Sequence, residues 1–459
     1  MNKTLKQGLL LVLAAWSCQQ AQAQVQAQAG GSDLLSIYAQ ARAADPLLAS
    51  AQAQRGIQQE STEQARAAML PQWRLQVEQN HAETSGLPGH VESRLLGSRL
   101  SQSLVDVAQW RTLQAENERL SADEARLRAA EQELCARVAR AYFGVLLARA
   151  GVSTTQANER AFADQVQQAQ ARFAAGLSAQ VDVDQARSFH QLVRGQLVQA
   201  QQDFADAQQA LAQIIGQEPG ALATLASELP ALPPQPQEPQ AWVERALSSN
   251  PTLKASAAEL SASERRIEAA RASHLPKLSL GLDSDRQSGS GVTPNLSGRT
   301  VNTLGVQLTI PLFAGGATAS QVRQASYRRD AIQSEQESAK RALIRETQAK
   351  FQAVLSTLAQ METGRMAVQA ADQALASTRA GQALGTRSMT DLLLAIQTQA
   401  SAQNAYEQAR HRHVLAKLLL SQAAGALDET ELAAANQWLR PDKPKQDPTD
   451  TQQAPGASS

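Results

Sequence analysis

The sequence predicts a mainly α-helical protein with a small set of membrane β-strands, arranged as two copies of one unit. Each copy is a β-hairpin joined to a long helical hairpin. Three observations predict this. Aromatic residues make up only 3% of the 459-residue chain, too few to fill a thick core with rings, while abundant Ala and Gln suit long helices that pack closely. Two stretches, from Asp106 to about Ala174 and from about Thr318 to Arg379, contain no proline and are dominated by helix formers. Spaced positions also recur in register between the two halves of the chain.

The first residues read as an export signal over 1–23. Lys3 and Lys6 supply a positive start, Gly8 to Trp16 a short apolar core, and Ala21-Gln22-Ala23 a cleavage pattern before Gln24. The apolar run is too short for a membrane helix, and no later run approaches the roughly 20 apolar residues that one needs. Lipidation at Cys18 would require a bulky Trp16 in the processing site, which disfavours it. Without Cys18, only Cys135 remains, in an apolar helical pattern that makes it a small buried group rather than a disulfide partner. Net charge is zero, so there is no electrostatic footprint for nucleic acid. If the mature chain enters a membrane, it does so as strands.

Repeat 1 spans 24–228 and repeat 2 spans 240–427, joined by a proline-rich linker at 229–239. The segment 428–459 ends in a Pro, Asp, Gln and Ser tail that reads as disordered. Asp45-Pro46 answers Asn250-Pro251, and Leu70-Pro71 answers Leu275-Pro276, both at an offset of 205. Gly176, Asp182 and Gly216 answer Gly385, Asp391 and Gly425 at an offset of 209. Each copy opens with a helix (about Leu34 to Met69; about Ala241 to His274) that a Leu-Pro dipeptide ends.

Strands follow, at about 71–105 and about 276–313. Leu278, Leu280 and Leu282 alternate with polar residues, as do Leu304, Val306, Leu308 and Ile310, and Trp73, Leu75 and Val77. A run around Leu96, Leu100 and Leu104 is less regular. Between the repeat 2 strands, Asp285 to Arg299 has a loop composition. Period two with one apolar face fits either a soluble sheet on a core or a membrane barrel with a wet lumen. Four strands do not close a barrel, and lipid tolerates no open edge, so membrane strands would require several chains to share one barrel.

The long helical hairpins are expected over about 106–216 and about 317–425. A helix of about 65 residues is about 100 Å long and must pack on its hairpin partner and on neighbouring chains. A coiled-coil spacer and a hollow barrel of helices both satisfy that. Gly176 and Gly385 mark sharp turns that call for positive φ. Asp391 reads either as a charge at a channel entrance or as an acid stabilising a helix N-terminus. His411 and His413, two apart on a helix, do not share a face, and with no further Cys or His ligands they make no metal pattern. No phosphate loop, nucleophile motif or dinucleotide fingerprint occurs, so neither enzyme activity nor a cofactor is predicted.

In layout and motifs, the mature chain resembles the TolC family of outer-membrane export channels. The carriers are the duplicated order, Asp33-Leu34-Leu35-Ser36-Ile37-Tyr38, the two Asx-Pro and two Leu-Pro pairs, and Ile310-Pro311-Leu312-Phe313-Ala314-Gly315-Gly316. The turns Ala175-Gly176-Leu177 and Leu384-Gly385-Thr386-Arg387 complete the set. The resemblance implies a homotrimer with a 12-stranded outer-membrane barrel continued by a periplasmic α-barrel. It implies that the tips Gly176, Leu177, Gly385 and Thr386 meet a periplasmic adaptor, which links to an inner-membrane transporter of ABC type. It is closest in look to the type I secretion branch; multidrug efflux is the alternative, and a periplasmic adaptor or structural coiled coil a remoter one. The resemblance also implies a periplasmic gate of Asp391, Arg387 and Asp182, with Arg387 bonding Asp182 of a neighbouring hairpin; an exposed ion pair worth about 0–1 kcal/mol is the plainer reading. The sequence departs from the family at Leu394, where a second acid is usual, and at Gln382, the usual tyrosine latch, with Val181 before Asp182.

Overall fold

The computed structural model describes residues 32–83, 90–226, 228–230, 232–289 and 298–440. The expected export signal, Cys18, most of the loop between the repeat 2 strands and the tail beyond Arg440 lie outside them. Two helices, two strands and two long helices occur in that order twice. The first set is α1 (Leu34–Ala44), α2 (Pro46–Ala67), β1 (Gln72–Glu83), β2 (His90–Val105), α3 (Val107–Ala174) and α4 (Gln180–Ile215), followed by β3 (Thr224–Leu225). The second is α5 (Pro239–Ser249), α6 (Pro251–Ala272), β4 (Lys277–Ser288), β5 (Thr300–Thr309), α7 (Ala317–Ala383) and α8 (Met389–Ala423), followed by α9 (Glu429–Asn436) and β6 (Leu439–Arg440).

The opening helix expected in each copy is in fact two. Asp45 and Asn250 stand before proline with extended backbones (ψ 118° and 123°). Proline's ring excludes helical geometry from the residue before it, yet suits the first turn of the next helix. The side chains of the two residues then take different partners. The Asn250 side chain accepts from the N–H groups of Thr252 and Leu253. Asp45 is buried and takes both guanidinium nitrogens of Arg137, at 2.9 and 2.6 Å.

The chain forms two compact units. The first comprises Met1–Pro46, Glu131–Ser248 and Arg345–Ser459. Here α1 is fastened to α9: Asn436 donates to Asp33 and accepts from the Leu34 N–H. Burial would raise the Asp33 pKa, but hydrogen bonds from Ser36 and Asn436 outweigh it and hold the carboxyl low. Tyr142 donates to the Ala223 carbonyl at 2.8 Å. Cys135 is buried, as expected, and burial pushes its thiol up to about 11. Trp242 packs on Phe351, Val354 and Leu420.

The second unit comprises Leu47–Ala130 and Ser249–Ile344. It holds a four-stranded antiparallel sheet in the order β1-β2-β4-β5, flanked in sequence by α2, α6 and the adjoining ends of α3 and α7. Lys277 at the start of β4 pairs with Asp106 at 3.1 Å, and Asp106 also accepts from the Gln109 N–H in the first turn of α3.

Candidate functional site

Two places stand out, one in each unit. The first is the sheet. Register aligns Trp73, Leu100, Leu282 and Leu304 in one row across all four strands. Leu280 pairs with Val306, and Leu278 with Leu308, on the same face. This face is uncovered in the single chain: Trp73 is 77% and Val306 64% exposed. The opposite face is polar, with Arg74, Arg99, Asp283 and Thr303 in one row and Gln76, Gly97, Asp285 and Val301 in the next.

The irregular run in β2 has a mechanical cause. Ser103 faces Ser279 while Val105 faces Leu278, so one extra residue intrudes at Leu104. A bulge of this kind reverses the phase of alternation. Even-numbered β2 residues carry the apolar face before it, and odd-numbered Val105 carries that face after it. Strict period two therefore fails in the sequence although the face is continuous.

Both outer strands of the sheet have unpaired edges, since β1 pairs only with β2 and β5 only with β4 among the described residues. Beside β5, Leu312 and Phe313 are almost fully exposed. No helix of the described residues is long and apolar enough to cross a membrane.

The second place is the pair of helical turns. Gly176 and Gly385 have φ of 71° and 75°, as their expected turn role requires. Each turn closes with the same two bonds. Leu177 N–H donates to Arg172 and Gly176 N–H to Phe173; Thr386 N–H donates to Gly381 and Gly385 N–H to Gln382. These are Schellman closures, which satisfy the last carbonyls of α3 and α7. Leu177 and Leu384 project from the turns, 71% and 80% exposed.

Beneath the turns, the helical hairpins are tied by an apolar cluster. Phe162 of α3, Val183 and Ala186 of α4, and Leu392, Leu393 and Ile396 of α8 are buried together. Phe162 stacks on Phe189 with ring centroids 5.7 Å apart. Thr390 donates to Gln185 at 2.7 Å, joining α8 to α4.

The expected gate residues sit at these helix starts. Asp391 is exposed and forms a capping box. Its carboxylate accepts from the Ser388 N–H, and its own N–H donates to the Ser388 hydroxyl, both at 3.0 Å. The Ser388 backbone and hydroxyl hold the Asp391 carboxyl below the usual carboxylate range. Copy one lacks this device, because Ala179 stands where Ser388 does and offers no side-chain cap. Asp182 is half-buried in the first turn of α4. Arg387 is exposed, and no ion pair joins it to Asp182 within one chain among the described residues. The Ser388-Met389-Thr390-Asp391 spacing is a capping-box signature visible in the sequence. No signal there could have shown the Thr390–Gln185 bond, which depends on how two helices meet. His411 and His413 are both buried, and no cluster able to hold a metal occurs among the described residues.

Residues 37–217 and 242–426 match the family described as outer membrane efflux protein. The chain is 31% identical over 412 residues to the outer membrane protein TolC of Vibrio cholerae, covering 89% of this chain and 94% of that one. It is 31% identical over 322 residues to the alkaline protease secretion protein AprF of Pseudomonas aeruginosa, covering 69% of this chain and 66% of the relative. In structure it is similar to the outer membrane protein VceC of Vibrio cholerae, with a TM-score of 0.74, 22% identity and coverage of 85% and 96%. The chain belongs to the outer membrane efflux protein family, the TolC-type channels, and its place is the bacterial outer membrane.

Proposed function

We propose that three copies of this chain form the exit duct of a tripartite export system. The open sheet carries this reading. One chain leaves the edges of β1 and β5 unpaired and an apolar row bare. In lipid each unpaired backbone group costs several kcal/mol, so β5 of one copy pairs with β1 of the next, and three four-stranded sheets close as 12 strands. The polar face then lines a wet lumen. The long helical hairpins continue the duct through the periplasm.

The tips Gly176, Leu177, Gly385 and Thr386 are the contact for a periplasmic adaptor. Exposed Leu177 and its flanking backbone suit an apolar partner groove. The adaptor links to an inner-membrane transporter, of ABC type in the protein-secretion reading, which supplies the energy. Asp391 of three copies rings the periplasmic entrance and attracts cations by Coulomb focusing. Since Arg387 and Asp182 do not pair within one chain, their tie is between neighbouring copies, as a charge-assisted bond that opening breaks.

Type I protein secretion is favoured because one substantial relative is named for alkaline protease secretion. Drug efflux is the second reading, favoured by the family description itself. A strain lacking the protein separates them: loss of a secreted protein from the medium supports the first, and drug sensitivity with secretion intact the second. The duct itself is tested by planar-bilayer conductance of the purified protein beside Asp391→Ala. We expect stable unitary currents, with weaker cation preference in the variant. Currents that the variant leaves unchanged would remove Asp391 from the entrance, and absence of currents would remove the duct.

A further inference from the structure

A cavity of about 400 Å³ lies within the first unit, between the linker, α5, the end of α8 and α9. That size falls in the range of about 300–1,000 Å³ usual for ligand sites. Its walls are mainly apolar. Leu232 and Pro233 come from the linker, Leu420 from α8 and Ala435 from α9. The indoles of Trp242 and Trp438 complete them.

Three charged side chains line the cavity: Arg245, Lys417 and Glu431. Each cation lies over an indole. The Arg245 guanidinium carbon is 5.2 Å from the Trp242 ring centroid, and Lys417 Nζ is 4.7 Å from that of Trp438. A ring face attracts a cation but supplies no hydrogen-bond acceptor of the strength of an oxygen. Lys417 is half-buried, and its ammonium makes no ion pair or hydrogen bond among the described residues. Burial lowers its pKa, and the attraction of Glu431 offsets that only in part. Glu431 instead accepts from the Ser421 hydroxyl at 3.2 Å. Glu244, beside Arg245 in sequence, is exposed and does not line the cavity.

A partly desolvated ammonium without an oxygen partner is costly, and a carboxylate relieves that cost through charge-assisted hydrogen bonds. Two cations against one acid leave the lining one positive charge in excess. A monoanion balances that excess, whereas a dianion would leave a charge of its own unpaired in an apolar place. The leucine and proline walls suit a hydrocarbon body.

We propose that this cavity binds an aliphatic monocarboxylate, with its chain against Leu232, Leu420 and Trp242 and its carboxylate on Lys417, Arg245 standing at the rim. The site is complete in one chain, so it does not depend on the trimeric barrel.

Decanoate is the probe, titrated by calorimetry into the full-length protein held in amphipol, with decanol as its neutral counterpart. We expect saturable binding of one decanoate per chain and binding of decanol about tenfold weaker or less. Lys417→Gln keeps the side-chain length and is expected to weaken decanoate about tenfold. Glu431→Gln keeps an acceptor for Ser421 and removes the one opposing charge, so it is expected to tighten decanoate about threefold. A site disturbed only in its packing would weaken in both variants. Ala434 is exposed on α9 at the cavity lining, and Ala434→Trp is expected to abolish binding with the thermal midpoint unchanged. Absence of saturable binding by the unaltered protein overturns the proposal. So does decanol binding as tight as decanoate, or decanoate affinity unchanged in Lys417→Gln protein of normal thermal midpoint.

Discussion

Single side chains at the helix starts have local roles that can be measured apart from transport. Ser388 and Asp391 satisfy each other's backbone N–H groups at the start of α8. Replacing an N-cap Ser by Ala costs about 1 kcal/mol, so Ser388→Ala is expected to lower the midpoint of thermal unfolding, followed by circular dichroism, while Ala179→Ser is expected to raise it. Asp45 is buried beneath the Arg137 guanidinium. Removing one partner of a buried pair costs roughly 3–5 kcal/mol, and Arg137→Met is expected to lose much of that in chemical denaturation. His411 and His413 are held below the usual imidazole range by burial, with Arg410 and Lys417 respectively adding repulsion and Glu407 opposing it at His411. Such groups are neutral when folded. The unfolded chain takes up protons first as pH falls below about 6.5, so stability is full above that pH and drops as pH falls towards the folded values. Unfolding midpoints measured from pH 7 to 5 are expected to decline, and His413→Leu is expected to flatten that decline.

At the scale of elements, the apolar row across the sheet is the strongest commitment. An Arg on the lipid face of a membrane barrel costs about 2–4 kcal/mol near the midplane. Val306→Arg is therefore expected to cut trimer yield in the outer membrane, and normal yield would return the sheet to a soluble role. The paired turns make a second test. A non-glycine residue in left-handed backbone costs roughly 1–2 kcal/mol, and neither Gly176 nor Gly385 has a neighbour that a Cβ would strike. Gly385→Ala should consequently lower stability by that amount through backbone strain alone. A larger loss of export than of assembly in that variant would point to the tip as a contact surface.

For the whole molecule, one chain is an unfinished object. The sheet has two open edges among the described residues, and Trp73, Leu304 and Val306 on its apolar face are exposed. Both facts agree with family membership and an outer-membrane location. In the proposed trimer they become requirements: the edges of β1 and β5 must meet.

The sequence by itself determined the helical class, the strand-forming runs and the turns at Gly176 and Gly385. These follow from local rules, since period two, proline placement and positive φ act over a few residues. It also showed the residues that mark the TolC-type family. Tertiary structure alone decided the rest. Asp45-Pro46 could have bent one helix; Arg137, 92 residues away in sequence, makes that break a buried ion pair. The β2 run was illegible because the bulge at Leu104 reverses its phase, and only pairing with β4 shows where. Asp391 is legible in the sequence through its register with Asp182, but the opposed charges on the sheet, such as Arg99 and Asp283, are not. Their balance of charge is a property of what stands across the strand or helix, and that is set by register and packing, not by neighbours in the chain.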